Sequence, residues 1–251
     1  MGIHEFTKQF LFNRQYCGFL GVERECFISK KGEIVPEVQR LLNILPTDGR
    51  YSYELSACQL ETKTNPIRFN LLETELLEIE KITNDASSCL ELELLHMPVA
   101  PENISLEVYP DPKGRYFKIA KRLSSEILSA ACRVAAVHIH IGVSNKDEAV
   151  KVHANLVDNF SELVKMGDTC SGKRLELYKV MVPNPVPRKY SSWFDFYKDM
   201  QERGIAEKTR ECWDLIRIST HGTVEVRVFD STPEVERITQ WAKAVLKFSG
   251  L

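Results

Sequence analysis

The fold is decided by the stretch Gly21-Val22-Glu23-Arg24-Glu25-Cys26-Phe27-Ile28. Side chains on a β-strand alternate between two faces, so Glu23 and Glu25 share one face while apolar side chains occupy the other. Two neighbouring carboxylates repel each other, and either open water or a bound cation must offset that cost. On an antiparallel sheet a face that meets water is the simpler explanation. Strand propensity, however, disfavours two carboxylates on one short strand, which favours the cation.

Two later stretches repeat this two-sided design. The segment Val137-His138-Ile139-His140-Ile141 places two imidazoles on one face and three β-branched residues on the other. The segment Thr223-Val224-Glu225-Val226-Arg227-Val228-Phe229 places Glu225 and Arg227 on one face, opposite three valines. We predict that these polar faces belong to one sheet and converge on a shared metal–phosphate site.

The residue types indicate which metal such a site would hold. Paired histidines on one strand face are a common zinc arrangement, but a metal needs a third ligand. The candidates here are carboxylates and not thiols, a set that prefers a hard cation such as Mg²⁺ or Mn²⁺. We expect both histidines to belong to the site, with His140 as a metal ligand and His138 as a catalytic residue. The position of Arg227 beside Glu225 predicts that its guanidinium binds an anionic ligand such as phosphate. The alternative is a surface ion pair that contributes little to stability.

Composition excludes several classes of protein. The chain has 251 residues, 43% of them hydrophobic, and a net charge of only −2 with a pI near 6.3. A nucleic-acid-binding protein would be expected to carry a basic patch, and no apolar run is long enough to span a membrane. The amino terminus has no secretory signal. The seven cysteines are scattered without a Cys-x-x-Cys pair, as expected for reduced thiols in a cytoplasmic protein.

Strand and helix patterns alternate irregularly, with no repeat and no linker, and predict one α+β domain over residues 1–251. Helices are expected over residues 70–82, 115–133, 146–166, 192–203 and 232–248. Further strands are expected in the second half of 53–64 and over 89–95. The segment 167–189 is expected to be irregular, because its prolines alternate. His96, His153 and His221 are expected to be solvent or loop histidines.

Two other stretches carry candidate motifs. Residues 167–174 nearly match a nucleotide-binding phosphate loop, but Arg174 replaces the hydroxyl that should bind magnesium, so we interpret the match as coincidence. Glu91 and Glu93 form a second pair of carboxylates on one predicted strand, and they are the runner-up to Glu23 and Glu25.

Several stretches, in this order, resemble the glutamate–cysteine ligase family, and more closely its bacterial carboxylate–amine ligase branch. They are Gly21-Val22-Glu23-Arg24-Glu25, Gln59-Leu60-Glu61-Thr62-Lys63-Thr64, His138-Ile139-His140-Ile141-Gly142-Val143 and His221-Gly222-Thr223-Val224-Glu225-Val226-Arg227. Residues 167–174 and the segment from Ser191 to Tyr197 also resemble that branch. The resemblance covers about residues 18–230. Family members continue for further helices after the last of these strands, so this chain is expected to be a member shortened at its carboxy terminus.

The resemblance implies a glutamine-synthetase-like fold, in which an antiparallel sheet curves into a half-funnel with helices outside. It implies ATP-dependent amide formation, by default between the γ-carboxylate of glutamate and cysteine or another amine. Glu23, Glu25, Glu61 and Glu225 would hold magnesium ions, with His138 among them. Arg227 would contact the transferred phosphoryl group. Arg174 and Arg217 would be candidates for binding a substrate carboxylate.

Two alternatives stay open at the level of sequence. A catalytically reduced relative would bind a nucleotide or an amino acid, or serve as a partner subunit. A zinc hydrolase would use His138 and His140. The sequence also leaves homo-oligomer formation open, and it predicts only small molecules as substrates, with no nucleic acid and no membrane.

Overall fold

The computed structural model describes residues 1–251, and an eight-stranded sheet lies at its centre. The strands are β1 (Leu20–Lys30), β2 (Glu33–Ile34), β3 (Tyr51–Tyr53), β4 (Gln59–Lys63), β5 (Glu93–Leu95), β6 (Ala136–Gly142), β7 (Ile216–Ser219) and β8 (Thr223–Asp230). Their order is β3-β4-β1-β6-β8-β7, with β2 and β5 also paired to β1. Every pairing is antiparallel, so β1 and β6, which carry the first carboxylate pair and the histidines, are direct neighbours.

Ten helices surround this sheet. They are α1 (Ile3–Thr7), α2 (Val38–Leu42), α3 (Phe69–Cys89), α4 (Arg115–Ala120), α5 (Ser125–Arg133), α6 (Lys146–Asp158), α7 (Phe160–Gly167), α8 (Lys173–Met181), α9 (Trp193–Glu202) and α10 (Val235–Ser249). Short 3₁₀ turns occur at Arg14–Tyr16 and Thr209–Glu211. None of these helices combines the length and the apolar character needed to cross a membrane.

The apolar face of the central strands forms the main core. Val22 of β1, Ile139 of β6 and Val226 of β8 are all at most 1% exposed, and they belong to one buried cluster with Leu72 of α3 and Trp241 of α10. Burial of such side chains contributes roughly 1.5–3 kcal/mol each. The apolar half of the alternation is thus covered by helices, which leaves the opposite face for the polar side chains.

Arg24 follows the same alternation. Lying between Glu23 and Glu25, it points to the helix side of the sheet, where it is 3% exposed. Its guanidinium donates to the carbonyl oxygens of Thr232 and Pro233 and pairs with Glu80 at 3.1 Å. Its charge is therefore neutralised away from the two glutamates that flank it in sequence.

Several predicted helix bounds need correction. The helix predicted over 115–133 is two helices, α4 and α5, separated at residues 121–124. The helix predicted over 146–166 divides at Asn159 into α6 and α7. The helix predicted over 70–82 is longer than predicted, because α3 runs to Cys89. The strand predicted over 89–95 is therefore shortened to β5. Glu91 lies before that strand and has a left-handed backbone with φ 56°. Glu91 and Glu93 therefore do not share a strand face, and the prediction of a second carboxylate pair is wrong.

The prediction of an irregular segment over 167–189 is wrong in its middle, where α8 forms. The buried residues of α8 are Arg174 and Tyr178, one turn apart. Because one of these two is charged, the helix lacks the apolar repeat from which amphipathic helices are recognised. α8 packs beside α5, and Tyr178 and Ala131 from these two helices line the polar side of the sheet.

Candidate metal and phosphate site

Strand register brings the predicted site residues together. Glu23 is the cross-strand partner of His138, and Glu25 is that of Glu61. His140 is paired in the same way with Glu225 on β8. Directly opposed residues on an antiparallel pair have Cβ atoms about 4.5–5.5 Å apart. Side chains that are distant in the chain therefore share one polar face.

Glu225 is the most deeply buried acid of the site, with no exposed surface. Arg217 donates to it from Nε at 2.7 Å and from Nη2 at 3.1 Å, and Arg227 forms a second ion pair with it. Burial alone would favour the neutral acid, but Arg217 and Arg227 hold the pKa of Glu225 far below its usual range. The carboxylate is therefore charged and holds both guanidinium groups.

His138 lies between the two glutamates of β1. Its Nδ1 is 3.2 Å from Oε2 of Glu23, and its Nε2 is 3.7 Å from Oε1 of Glu25. Burial would favour a neutral acid, yet the His140 and His138 imidazoles hold the pKa of Glu23 well below its usual range. Glu25 differs, because burial raises its pKa while its Oε2 accepts a hydrogen bond from the Ala136 backbone N–H at 2.8 Å.

His140 has one ring nitrogen engaged and one free. Its Nδ1 lies 2.9 Å from the Thr223 hydroxyl, while its buried Nε2 has no hydrogen-bond partner. That Nε2 is 3.6 Å from Oε1 of Glu23 and 3.9 Å from Oε2 of Glu225. Burial favours the neutral ring, but the Glu225 and Glu23 carboxylates raise the pKa of His140.

Glu23, His140 and Glu225 therefore form the first ligand cluster, whose ligand atoms all lie within 4.8 Å of one another. An orphaned imidazole nitrogen facing two carboxylates, with its other nitrogen held by a hydroxyl, is an arrangement that metal-ligating histidines adopt. The residues present thus fit a bound divalent cation.

A second ligand cluster consists of Glu25, Glu54 and Glu61, again with ligand atoms within 4.8 Å of one another. Burial, followed by the charges of Glu61 and Glu25, raises the pKa of Glu54 well above its usual range. Ser52 and Lys63 hold Oε1 of Glu61 at 2.7 and 2.9 Å. Three crowded acids with oxygen ligands only are suited to a hard cation such as Mg²⁺, which would relieve their repulsion.

Glu54 is a candidate ligand that the sequence reasoning missed. It follows β3 and belongs to no strand, so strand alternation cannot place it. Thr223, the partner of His140, was also missed, although it lies two residues before Glu225 on the same strand face. That spacing was a signal that was available in the sequence.

Arg174 occupies a structural position. It is 1% exposed, its Nε pairs with Asp230 at 2.6 Å, and its Nη2 donates to the carbonyl oxygen of Val228 at 2.6 Å. These contacts tie α8 to the end of β8. Its role as a ligand of the substrate stays a prediction, as does that of Arg217, whose guanidinium is occupied by Glu225.

Arg227 faces a cavity of about 260 Å³ on the polar side of the sheet. Its Nε is buried without a hydrogen-bond partner, and its guanidinium carbon lies 5.5 Å from the centroid of the Trp213 ring. Glu23 of the first cluster and all three acids of the second cluster line the cavity. Its other lining side chains include Arg115, Arg174, Tyr178, Arg210, Trp213, Arg217 and His221. A ligand in this cavity would therefore meet the acids and Arg227 together.

Three further histidines were predicted to lie in solvent or in loops, and the structure confirms this for some of them only. His221 lies in the turn between β7 and β8, as predicted, and it lines the cavity. His153 does not face solvent: it is 1% exposed on α6, with Nε2 3.3 Å from the carbonyl oxygen of Ile216. Burial lowers the pKa of His153 to about 4. His96 lies in a loop, as predicted, but is half-buried, and burial lowers its pKa to about 3.

The segment that resembles a phosphate loop has a packing role. Gly167 ends α7, and a Cβ at this position would lie 2.9 Å from the Cα of Phe229 on β8. The Asp168 side chain then accepts backbone N–H groups of Cys170 and Gly172. The loop's turn is thus closed by its own aspartate, as expected for a coincidental match.

Comparison with known proteins finds partial similarity to named ligases. No family model matches the chain. A protein named as glutamate–cysteine ligase 2-1 from Mycobacterium sp. (strain KMS) is 24% identical over 139 residues, which cover 49% of this chain and 36% of that protein. A protein of the same name from Corynebacterium efficiens is 23% identical over 141 residues, with coverages of 51% and 37%.

Among solved structures, a bifunctional glutathione synthetase from Pasteurella multocida superimposes with a TM-score of 0.62 and 16% identity. The match covers 97% of this chain and 39% of that one. Over about half of its length the chain is thus similar to bacterial proteins named as glutamate–cysteine ligases. The chain has the glutamine-synthetase-like α+β fold that its sequence predicts. The matches span little more than a third of the length of these ligases.

Proposed function

We propose that this chain catalyses ATP- and Mg²⁺-dependent formation of an amide between a carboxylate and an amine, through an acyl phosphate. The acid would be the γ-carboxylate of glutamate, and the amine would be cysteine or another amino compound; the names of its relatives mention glutamate and cysteine. Mn²⁺ would be an alternative metal. The observation that carries the proposal is the convergence of both ligand clusters and Arg227 on the polar side of the sheet.

The substrate carboxylate must be activated before an amide can form, because carboxylates are poor acyl donors. Magnesium ions, when bound, would neutralise the charge that develops on the phosphates of ATP during phosphoryl transfer. Glu23, His140 and Glu225 would hold one cation, and Glu25, Glu54 and Glu61 another. These side chains supply fixed charge and position, so no nucleophilic residue is required.

Arg227 would act on the reacting groups, and His138 would position the acids around them. The Arg227 guanidinium reaches the cavity and would stabilise the transferred phosphoryl group by charge-assisted hydrogen bonds. Arg217 pairs with the same carboxylate as Arg227 and would keep that carboxylate in place. His138 contacts both Glu23 and Glu25, and would fix their relative orientation between the two cations.

The test is ADP release from Mg²⁺-ATP in the presence of glutamate and a panel of amines. Glu23→Gln removes one ligand charge at a partly exposed site and should abolish substrate-dependent ADP release without unfolding the protein. Glu33→Gln, an exposed position on β2, is the matched control and should keep wild-type turnover. Full turnover in Glu23→Gln would refute the assignment. Calorimetric binding of Mg²⁺-ATP with no turnover on any substrate would instead support the reduced, nucleotide-binding relative.

A further inference from the structure

Trp213 differs from the other two tryptophans of the chain in its surroundings. Trp193 and Trp241 belong to the main core and are 4% and 2% exposed. Trp213 is 42% exposed, lies just before β7 and lines the cavity. A large apolar side chain that stays in contact with water gains only part of the free energy of burial. The place of this indole is therefore set by its neighbours in the cavity and not by the core.

The ring of Trp213 packs against Arg227. The guanidinium carbon lies 5.5 Å from the centroid of the ring, within the distance of about 6 Å at which a cation and an indole face attract each other. The ion pair of Arg227 with Glu225 engages Nη1, and its buried Nε has no hydrogen-bond partner. The indole thus joins Glu225 in fixing the direction of this guanidinium.

Arg217 connects the two groups that contact Arg227. Its Nε and Nη2 donate to the carboxylate of Glu225 at 2.7 and 3.1 Å. Its Nη1 donates to the carbonyl oxygen of Cys212, directly before Trp213, at 2.8 Å. One guanidinium therefore sets the position of the indole relative to the carboxylate, and the side chain of Arg227 lies between them.

The backbone of Trp213 is also held by contacts outside this set. The Tyr178 hydroxyl donates to the carbonyl oxygen of Trp213 at 2.8 Å. Asp214, the next residue, pairs with Arg203 through two contacts of 2.9 Å. Groups that are fixed before the substrate binds need no reorganisation during the reaction. The indole is thus part of a prearranged set and not of a loose surface loop.

We propose that Trp213 is a positioning residue, whose indole holds the Arg227 guanidinium in the direction that meets the transferred phosphoryl group. This inference rests on the proposed ligase function. A cation is attracted by the negative face of the ring, so the contact depends on the charge distribution of the indole. A role in packing alone would depend only on the size and shape of the ring.

Fluorinated tryptophans separate these two roles, because fluorine weakens the negative ring face and changes the shape of the ring little. With Mg²⁺-ATP, glutamate and cysteine, kcat should fall stepwise as fluorine atoms are added, by about tenfold over the series. KM for glutamate should change by less than about twofold, as for a contact that matters only in the transition state.

Trp213→Phe is the matched control, because it keeps the labels at Trp193 and Trp241. Its kcat should lie below that of wild type and should not respond to fluorine. A wild-type kcat that does not change with fluorine, or that falls equally in both proteins, would overturn the positioning role. A rise in KM at constant kcat would assign the ring to substrate binding and would also overturn it.

A double-mutant cycle of Trp213→Leu and Arg227→Gln measures the contact without turnover. In urea titrations the effects of the two changes on the unfolding equilibrium constant should be non-additive by at least about twofold. Additive effects would overturn the contact. Coupling without ADP release on any substrate would leave the orientation of Arg227 standing and refute the ligase. ADP release that does not respond to fluorine would leave the ligase standing and refute the positioning role.

Discussion

Glu23 and His138 face each other across β1 and β6, with Oε2 of the glutamate 3.2 Å from Nδ1 of the histidine. The two residues are 115 positions apart in the chain, and only strand register unites them. A slip of one residue would turn every polar side chain of β1 to the helix side. The helices on the apolar face thus fix the register, and the register fixes the candidate site.

Thr223→Val tests how His140 is oriented. Valine keeps the shape of threonine but removes the hydroxyl that holds Nδ1 of His140. We expect Mn²⁺ affinity to fall about ten- to a hundredfold, the usual effect of removing a group that orients a metal-ligating histidine. Calorimetric titration with Mn²⁺ measures this. Unchanged affinity, with the fold intact by circular dichroism, would show that the hydroxyl has no such role.

Glu54→Gln should have opposite effects with and without metal. Removing one of three crowded acids relieves repulsion, so the metal-free protein should become more stable by about 1 kcal/mol. The stabilisation that Mg²⁺ gives to wild type by mass action should largely disappear. Thermal unfolding in chelator and in excess Mg²⁺ measures both effects, with Glu33→Gln as control. A variant that keeps the full response to Mg²⁺ would exclude Glu54 from the ligands.

Glu225→Gln should destabilise the fold itself. Glutamine keeps the size of the side chain but leaves Arg217 and Arg227 without their buried counter-charge. Breaking a buried ion pair from one side costs about 3–5 kcal/mol, and we expect a loss of about 3 kcal/mol in the free energy of unfolding. Urea titration monitored by fluorescence measures it. A loss below about 1 kcal/mol would show that solvent neutralises the two arginines.

His153 should make the protein sensitive to acid. Its pKa is about 4 in the folded protein and about 6.5 in an unfolded chain. The unfolded state therefore binds the proton more readily, and stability falls as the pH drops from 6.5 towards 4, by about 3 kcal/mol in total. His153→Phe should flatten this dependence, and His4→Phe, at an exposed position, should not. Urea titrations between pH 7 and pH 4 test this, and equal slopes in all three proteins would contradict it.

The strands that carry the site could be predicted because their pattern is local. Alternation on β1, β6 and β8 places Glu23, His138 and Glu225 on one face, and the structure brings these faces together. The order of the strands in the sheet does not follow from a local pattern. The valine and isoleucine faces must nevertheless be buried together, which favours one shared sheet. The ligand roles of these residues stay predictions until metal binding is measured.

Other features depend on tertiary contacts that a periodic pattern does not encode. Glu54 lies outside any strand and reaches its cluster only because β3 and β4 pair. α8 buries Arg174 against Asp230, so its buried face is not apolar and its helix was missed. His153 is predicted to be a solvent or loop histidine, whereas it is buried on α6 and stacks on Tyr190 with ring centroids 5.0 Å apart.

The most direct measurement is anomalous diffraction from crystals soaked with Mn²⁺ and a non-hydrolysable ATP analogue. The account predicts manganese peaks within ligand distance of Glu23, His140 and Glu225, and of Glu25, Glu54 and Glu61, with the terminal phosphate against Arg227. Crystals in which the analogue is bound elsewhere, or in which these carboxylates hold no manganese at saturating concentration, would contradict it.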